Sequence, residues 1–190
     1  VEGVTHVSSQ AVYNSPGAPP VTFHRLTDRP KKFGRTTIAT VPSAGMVADR
    51  KRASKFTLTE TGRLLDLSAY LDGLGGVSGS QQVRIVVYRD SSGVPGPKVA
   101  ESTSRSLASG TTGTWRSFAV DGLPLLTAGD YWLAIHTGGT TQVLRNFGDG
   151  SAVNWYGNDN IFSDGASDPF GTGTSGATTL SIHGRYVVGE

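Results

Sequence analysis

Histidine and serine are the residue types of this sequence that could support catalysis, and neither occurs in a catalytic spacing. The four histidines lack the H-E-x-x-H or H-x-H spacing that places two imidazole nitrogens on one metal ion. No G-x-S-x-G motif surrounds any serine, because GVSGS at 76–80 lacks the final glycine. Cysteine is absent, which excludes disulfides, thiolate metal sites and a cysteine nucleophile. The sequence therefore predicts a protein that is not an enzyme, with no catalytic residue and no metal ligand.

Hard oxygen donors are concentrated between residues 146 and 168. Calcium binds carboxylate and amide oxygens of this kind, but the spacing matches no calcium-loop template. The same residue types also form turns without an ion. We therefore expect no cofactor and leave a structural calcium ion open as the alternative; the donors are Asn146, Asp149, Asn154, Asn158, Asp159, Asn160, Asp164 and Asp168.

Two aromatic residues in the same stretch are suited to carbohydrate binding. Sugar rings present apolar C–H faces that stack on tryptophan and tyrosine, while arginine and amide groups bind the hydroxyls. The candidate glycan contacts are Arg145, Trp155 and Tyr156. The favoured alternative is that these aromatics fold back over the body of the protein and bury apolar surface there.

Basic residues are concentrated near the start of the chain. Residues 25–55 hold nine basic and two acidic residues, whereas residues 56–190 hold eight basic and twelve acidic ones. Such a block binds nucleic acid or an acidic protein surface. No aromatic residues alternate with the basic ones and no nucleic-acid-binding motif follows, which favours a protein partner over nucleic acid.

Residues 1–32 are predicted to form an extended N-terminal arm. Four prolines punctuate this segment and its apolar residues follow no sustained period. Proline removes a backbone donor and favours extended conformations. Disorder is the alternative, although the aromatic residues of this segment are unusual in a solvated tail.

The rest of the chain, residues 33–190, has the pattern of an all-β protein. Short segments alternate apolar and polar residues and are separated by turn signals, as in Leu65–Asp72. This pattern predicts an antiparallel β-sandwich, jelly-roll-like in type, with no run long enough to cross a membrane. The predicted strands are 36–41, 54–59, 65–72, 82–90, 98–104, 115–120, 131–136, 142–147 and 178–188, with a long loop at 148–176.

Several of these segments together resemble a known module. Residues 33–188 resemble a β-sandwich module of minor tail and other virion surface proteins from phages of actinobacteria. They are also similar to appended domains of secreted actinobacterial carbohydrate-active proteins. The segments that carry the resemblance are FGRTTIAT (33–40), PSAGMVADRKRASKFTLTETG (42–62), LSAYLDG (67–73), VRIVVYRDSSGVPG (83–96), AGDYWLAIHTGG (128–139), NWYGN (154–158) and SDGASDPFGTGTSG (163–176).

This resemblance implies a non-catalytic virion structural protein, either a capsid decoration protein or a minor tail protein. Its arm would anchor it to other virion proteins or to copies of itself in an oligomer, and its sandwich would be displayed on the surface. The alternative is a secreted or virion-borne carbohydrate-binding module that targets a host-surface glycan, with no membrane partner. The expected assembly contacts are Tyr13, Phe23, Arg25, Arg29, Lys31, Lys32, Phe33 and Arg35.

Overall fold

The computed structural model describes residues 29–189, and its regular structure is β-strand apart from one 3-10 turn at Phe162–Asp164. Each strand pairs antiparallel with its neighbours. The strands are β1 (Lys31–Gly34), β2 (Arg50–Leu58), β3 (Gly62–Asp72), β4 (Ser80–Ser91), β5 (Val94–Glu101), β6 (Arg105–Ala108), β7 (Thr114–Ala119), β8 (Leu125–Leu126), β9 (Gly129–Gly139), β10 (Arg145–Asn146), β11 (Gly148–Asp159), β12 (Thr174–Leu180) and β13 (Ile182–Val188).

The strands form two sheets. The first sheet has the order β1-β13-β3-β10, with β7 and β8 also paired to β3. The second sheet has the order β12-β11-β2-β9-β4-β5, with β6 also paired to β4. The predicted class, an all-β antiparallel sandwich, is therefore confirmed.

The main hydrophobic core draws its residues from the strands of both sheets. Side chains alternate along a strand, so Leu67, Ala69 and Leu71 of β3 all point toward this core, and each is fully buried. Val83, Ile85 and Val87 do the same from β4. The alternation that predicted these strands is thus the alternation that builds the core.

A second hydrophobic cluster lies on the outer face of the second sheet. Tyr88 of β4 and Trp132 of β9 form it with Phe170 and Ala166, which belong to the segment at residues 160–173. The Tyr88 and Phe170 rings meet edge to face with centroids 4.9 Å apart. Residues 160–173 therefore cover this face of the sandwich.

The structure differs from four of the segment assignments predicted from the sequence. No strand forms at 36–41, because the Ala39 and Thr40 amides donate to the side chains of Ser181 and Asp149 instead of to a neighbouring strand. Of the predicted strand 142–147, only Arg145–Asn146 forms a strand, and Phe147 makes a single bridge to Pro42. The predicted loop 148–176 contains β11 and the first three residues of β12, because pairing with β2 and with each other makes strands of these glycine-containing segments. The domain boundary predicted after residue 32 falls inside β1.

Among residues 29–189, no helix has the length and apolar character needed to cross a bilayer.

Candidate functional site

The three predicted glycan contacts do not form one site. Trp155 and Tyr156 are consecutive on β11, so their side chains point to opposite faces of the second sheet. Trp155 packs against the core between the sheets. Tyr156 packs on the outer face against Trp132 and Phe170, with ring centroids 6.1 and 5.7 Å away. Arg145 lies on the first sheet, so the structure does not bring the three candidates together, and Tyr156 is packed on the body of the protein as in the alternative.

Of the predicted assembly contacts, Tyr13, Phe23 and Arg25 lie outside the described residues. Arg29 and Lys32 are exposed, and for both an assembly role stays a prediction.

Two more predicted assembly contacts belong to the sandwich itself. Lys31 donates from Nζ to both carboxylate oxygens of Glu60, at 2.9 and 2.7 Å. Arg35 is ion-paired with Asp149, and this guanidinium lowers the pKa of Asp149 to about 2. Both side chains therefore already have acidic partners within the chain.

Phe33 is a core residue, contrary to its prediction as an assembly contact. Its ring is 5% exposed and meets the rings of Tyr131 and Tyr186 edge to face. Gly184 stands opposite Phe33 on β13, and a Cβ atom there would lie 2.6 Å from Phe33 Cε1. The missing side chain at Gly184 makes room for the ring.

The outer face of the first sheet carries a row of aromatic rings, which we call the aromatic row: Phe147, Tyr70 and Trp115. Consecutive centroids are 5.0 and 5.8 Å apart, and the rings meet edge to face. Tyr70 and Trp115 stand directly opposite each other on β3 and β7. The three rings belong to neither hydrophobic cluster of the described residues, and all three stay partly exposed. Part of each ring is thus presented outward at this face.

A fixed guanidinium flanks the aromatic row at Phe147. Arg145 donates from Nε and Nη2 to the two carboxylate oxygens of Asp72, at 2.9 and 2.6 Å, and this pairing raises the pKa of Arg145. Asp72 is 2% exposed and also accepts from the Leu74 amide at 3.0 Å. The Arg145 guanidinium carbon lies 5.9 Å from the centroid of the Phe147 ring. The ion pair holds Arg145 beside the row in one orientation.

A neutral histidine, His183, lies at the opposite end of the aromatic row. The His183 imidazole lies 4.7 Å from Trp115, edge to face. Burial and the charge of Lys32 lower the pKa of His183. Ser68, which pairs with His183, is buried on the same face. This end of the row therefore carries two buried polar groups, with the charged side chain of Lys32 nearby.

Sequence reasoning missed the aromatic row, although one signal for it was present. In the alternation of residues 65–72, Tyr70 falls on the polar face with Asp66, Ser68 and Asp72. An aromatic residue on the solvent side of an alternating strand indicates a surface that contacts something. Trp115 and Phe147 could not be assigned to that surface before the strand pairing was known.

Three of the oxygen donors that could bind calcium are engaged within the protein. Asp149 accepts from Arg35 and Thr40, and Asp168 accepts from the Lys98 amide at 2.8 Å. Asn146 accepts from Arg52 at 3.2 Å. Within residues 29–189, no group of three or more histidine, aspartate or glutamate side chains is arranged to hold a metal ion.

Two further buried titratable groups, Lys51 and His136, lie under residues 160–173. Lys51 donates from Nζ to the Phe170 carbonyl at 2.8 Å, and burial with the charge of Lys98 lowers its pKa to about 8. The His136 ring bonds the Asn160 carbonyl at 2.9 Å, and burial lowers its pKa to about 4. Both groups fasten the covering segment to the second sheet.

No model of a known protein family matches this sequence, and no curated protein matches it either.

Proposed function

We propose that the chain is a non-catalytic binding module that recognises carbohydrate through the outer face of its first sheet. The observation that carries this proposal is the aromatic row beside the oriented Arg145–Asp72 pair. Partly exposed ring surface offers an apolar platform for the C–H face of a sugar, and the Arg145 guanidinium, oriented by Asp72, offers a donor for its hydroxyls.

The charged groups of this face favour binding over catalysis. Asp72 and Asp66 are each held in a bidentate pair, with Arg145 and Arg185 respectively. A carboxylate whose oxygens both accept from a guanidinium has neither oxygen free to exchange a proton with a bound molecule. A recognition surface needs groups that are fixed in this way, whereas acid–base catalysis needs a carboxylate that is free to exchange a proton with the substrate.

The size of the expected effect follows from the area of contact. A sugar face that covers roughly 50 to 60 Å² of the Trp115 indole contributes about 1.4 kcal/mol at 25 cal/mol per Å², or about tenfold in affinity. We therefore expect Trp115→Ala to weaken glycan binding about tenfold and Trp115→Phe to weaken it less. The measurement is a glycan array followed by titration of the best ligand.

Two controls make this experiment decisive. Ser117→Ala changes the same strand and the same face two residues away and should leave binding unchanged. Circular dichroism of each variant shows whether the sandwich is intact. The proposal fails if the protein binds no glycan on the array, or if Trp115→Ala and Arg145→Ala both bind as the unmodified chain does.

A second candidate function is the virion structural role that the resemblance implies. The observation in its favour is β1, an edge strand that starts at Lys31, three residues after the last residue outside the described range. Phe33 anchors this strand in the core, so a partner that binds residues 1–28 would be joined directly to the sandwich. Both functions are compatible in a displayed module that is anchored at one end and binds glycan on its face.

The test of the structural role is incorporation into particles. A chain that starts at Arg29 keeps β1 and should fold like the full chain but fail to join virions. If it is incorporated as well as the full chain, residues 1–28 are not the anchor and this candidate is rejected.

A further inference from the structure

An arginine of the second sheet points into the space between the two sheets. Arg52 lies on β2 opposite Ile135 of β9, which is a core residue. Ser54 and Phe56 follow on the same side, and Phe56 packs against that core. Because side chains alternate along β2, the Arg52 cation lies on the face of the strand that is directed to the interior.

Arg52 has no acidic partner among the described residues. Its one side-chain hydrogen bond runs from Nη1 to Oδ1 of Asn146, at 3.2 Å. Burial lowers the pKa of Arg52, and the charge of Arg50 lowers it further. The carboxylates of Asp72 and Asp149 are already paired with Arg145 and Arg35.

An uncompensated cation in this position calls for a counter-charge. Arg52 is partly buried, and a partly desolvated charge is stabilised by pairing. A guanidinium carries five N–H donors arranged to bind a carboxylate in two places. Arg52 uses one of these donors. The remaining donors are available to a ligand.

The guanidinium lines a cavity that such a ligand could occupy. The cavity has a volume of about 240 Å³, equal to roughly eight water molecules at about 30 Å³ each. Its walls combine polar groups with apolar surface, which is the usual composition of a small-molecule site. The lining residues that matter here are Arg52, Asn146, Ser43, Thr178, Trp155 and Leu180.

We propose that this cavity binds a small carboxylate ligand, with the carboxylate on the Arg52 guanidinium and the apolar part of the ligand against Trp155. One guanidinium balances the single charge of a carboxylate, whereas it would leave a phosphate dianion half compensated. Ser43 and Thr178 supply hydroxyls for further polar atoms of the ligand. The site is separate from the aromatic row, which lies on the outer face of the other sheet.

The experiment is isothermal titration of the full chain with two matched pairs of probes. Benzoate is compared with benzamide, and glucuronate with glucose, so that each carboxylate has a neutral partner of similar shape. The first pair represents free carboxylic acids and the second represents the acidic residues of a glycan. We expect at least one carboxylate to bind and its neutral partner to bind at least about tenfold more weakly.

Substitution of Arg52 then tests the site itself. Arg52→Met keeps the length of the side chain and removes the charge, so we expect carboxylate binding to be lost while the thermal midpoint rises or stays the same. Arg52→Lys keeps the charge without the two-pronged geometry and should weaken binding about tenfold. It serves as the second variant if Arg52→Met does not fold.

The outcomes separate this proposal from the carbohydrate proposal. Trp115→Ala should leave carboxylate binding unchanged, since Trp115 does not line this cavity. The proposal is overturned if neither carboxylate binds, if the neutral partners bind equally well, or if the folded Arg52 variants bind as the unmodified chain does.

Discussion

Lys51 allows a quantitative prediction about the stability of the protein. Its side chain is fully buried under residues 160–173, where Nζ lies 4.1 Å from the centroid of the Phe170 ring. Burial lowers its pKa from 10.5 to about 8, with the charge of Lys98 acting in the same direction. In the unfolded chain the ammonium returns to its ordinary pKa. Between these two values the unfolded state binds more protons, so the folded state becomes more stable as the pH rises.

The magnitude follows from the two pKa values. At about pH 7.5 the lysine is mostly charged in both states, and at about pH 9.5 it is mostly neutral in the folded state alone. The difference amounts to about 2 kcal/mol of added unfolding free energy over this interval. Burial raises the pKa of Tyr88, so its opposing contribution begins only near pH 10, where tyrosines of the unfolded chain ionise.

The assay is urea denaturation at several pH values between these limits, for the unmodified chain and for Lys51→Met. The methionine keeps the bulk of the side chain and cannot titrate, so the variant should lack the rise. Subtracting the two curves removes the contribution of the other titrating groups. An equal rise of the unfolding free energy in both proteins would show that Lys51 does not cause the pH dependence. It would also show that the Lys51 ammonium is not destabilised in the folded state.

Two further predictions concern His136 and Gly184. Because burial lowers the pKa of His136 from 6.5 to about 4, acidification through this range should cost about 3 kcal/mol of unfolding free energy, and urea denaturation of His136→Leu should show a smaller loss. Gly184→Ala places a Cβ atom against the Phe33 ring and should cost about 1 to 3 kcal/mol in the same assay. The added change Phe33→Leu should recover part of that loss, and a Gly184→Ala variant as stable as the unmodified chain would contradict the packing described for β1.

The sequence predicted the strands in which apolar and polar residues alternate. Leu67, Ala69 and Leu71 could be assigned to one face of β3 before any pairing was known, because side-chain direction alternates along every strand. The same reasoning identified β9, and a cluster of β-branched residues identified β4. Alternation failed for β11 and for the start of β12, since glycine-rich segments are typical of turns and become strands here by pairing with β2 and with each other.

The candidate sites also contain some features that could be predicted from the sequence and others that could not. Once β11 is known to be a strand, Trp155 and Tyr156 must point to opposite faces, but no local pattern of residues indicates a strand there. Tyr70 was visible as an aromatic residue on a polar face. Its neighbours Trp115 and Phe147 come from positions 45 and 77 residues further along the chain, and only sheet pairing brings them together.

What the sequence alone determined is the all-β class, since alternation and turn residues are local properties of the chain. The tertiary structure alone decided which sheet face residues 160–173 cover and which face leaves its aromatic rings partly exposed. It also decided that Arg52 faces a cavity without a carboxylate while Arg145 has one in Asp72. These outcomes depend on contacts between residues far apart in the chain, and a local pattern carries no information about such contacts.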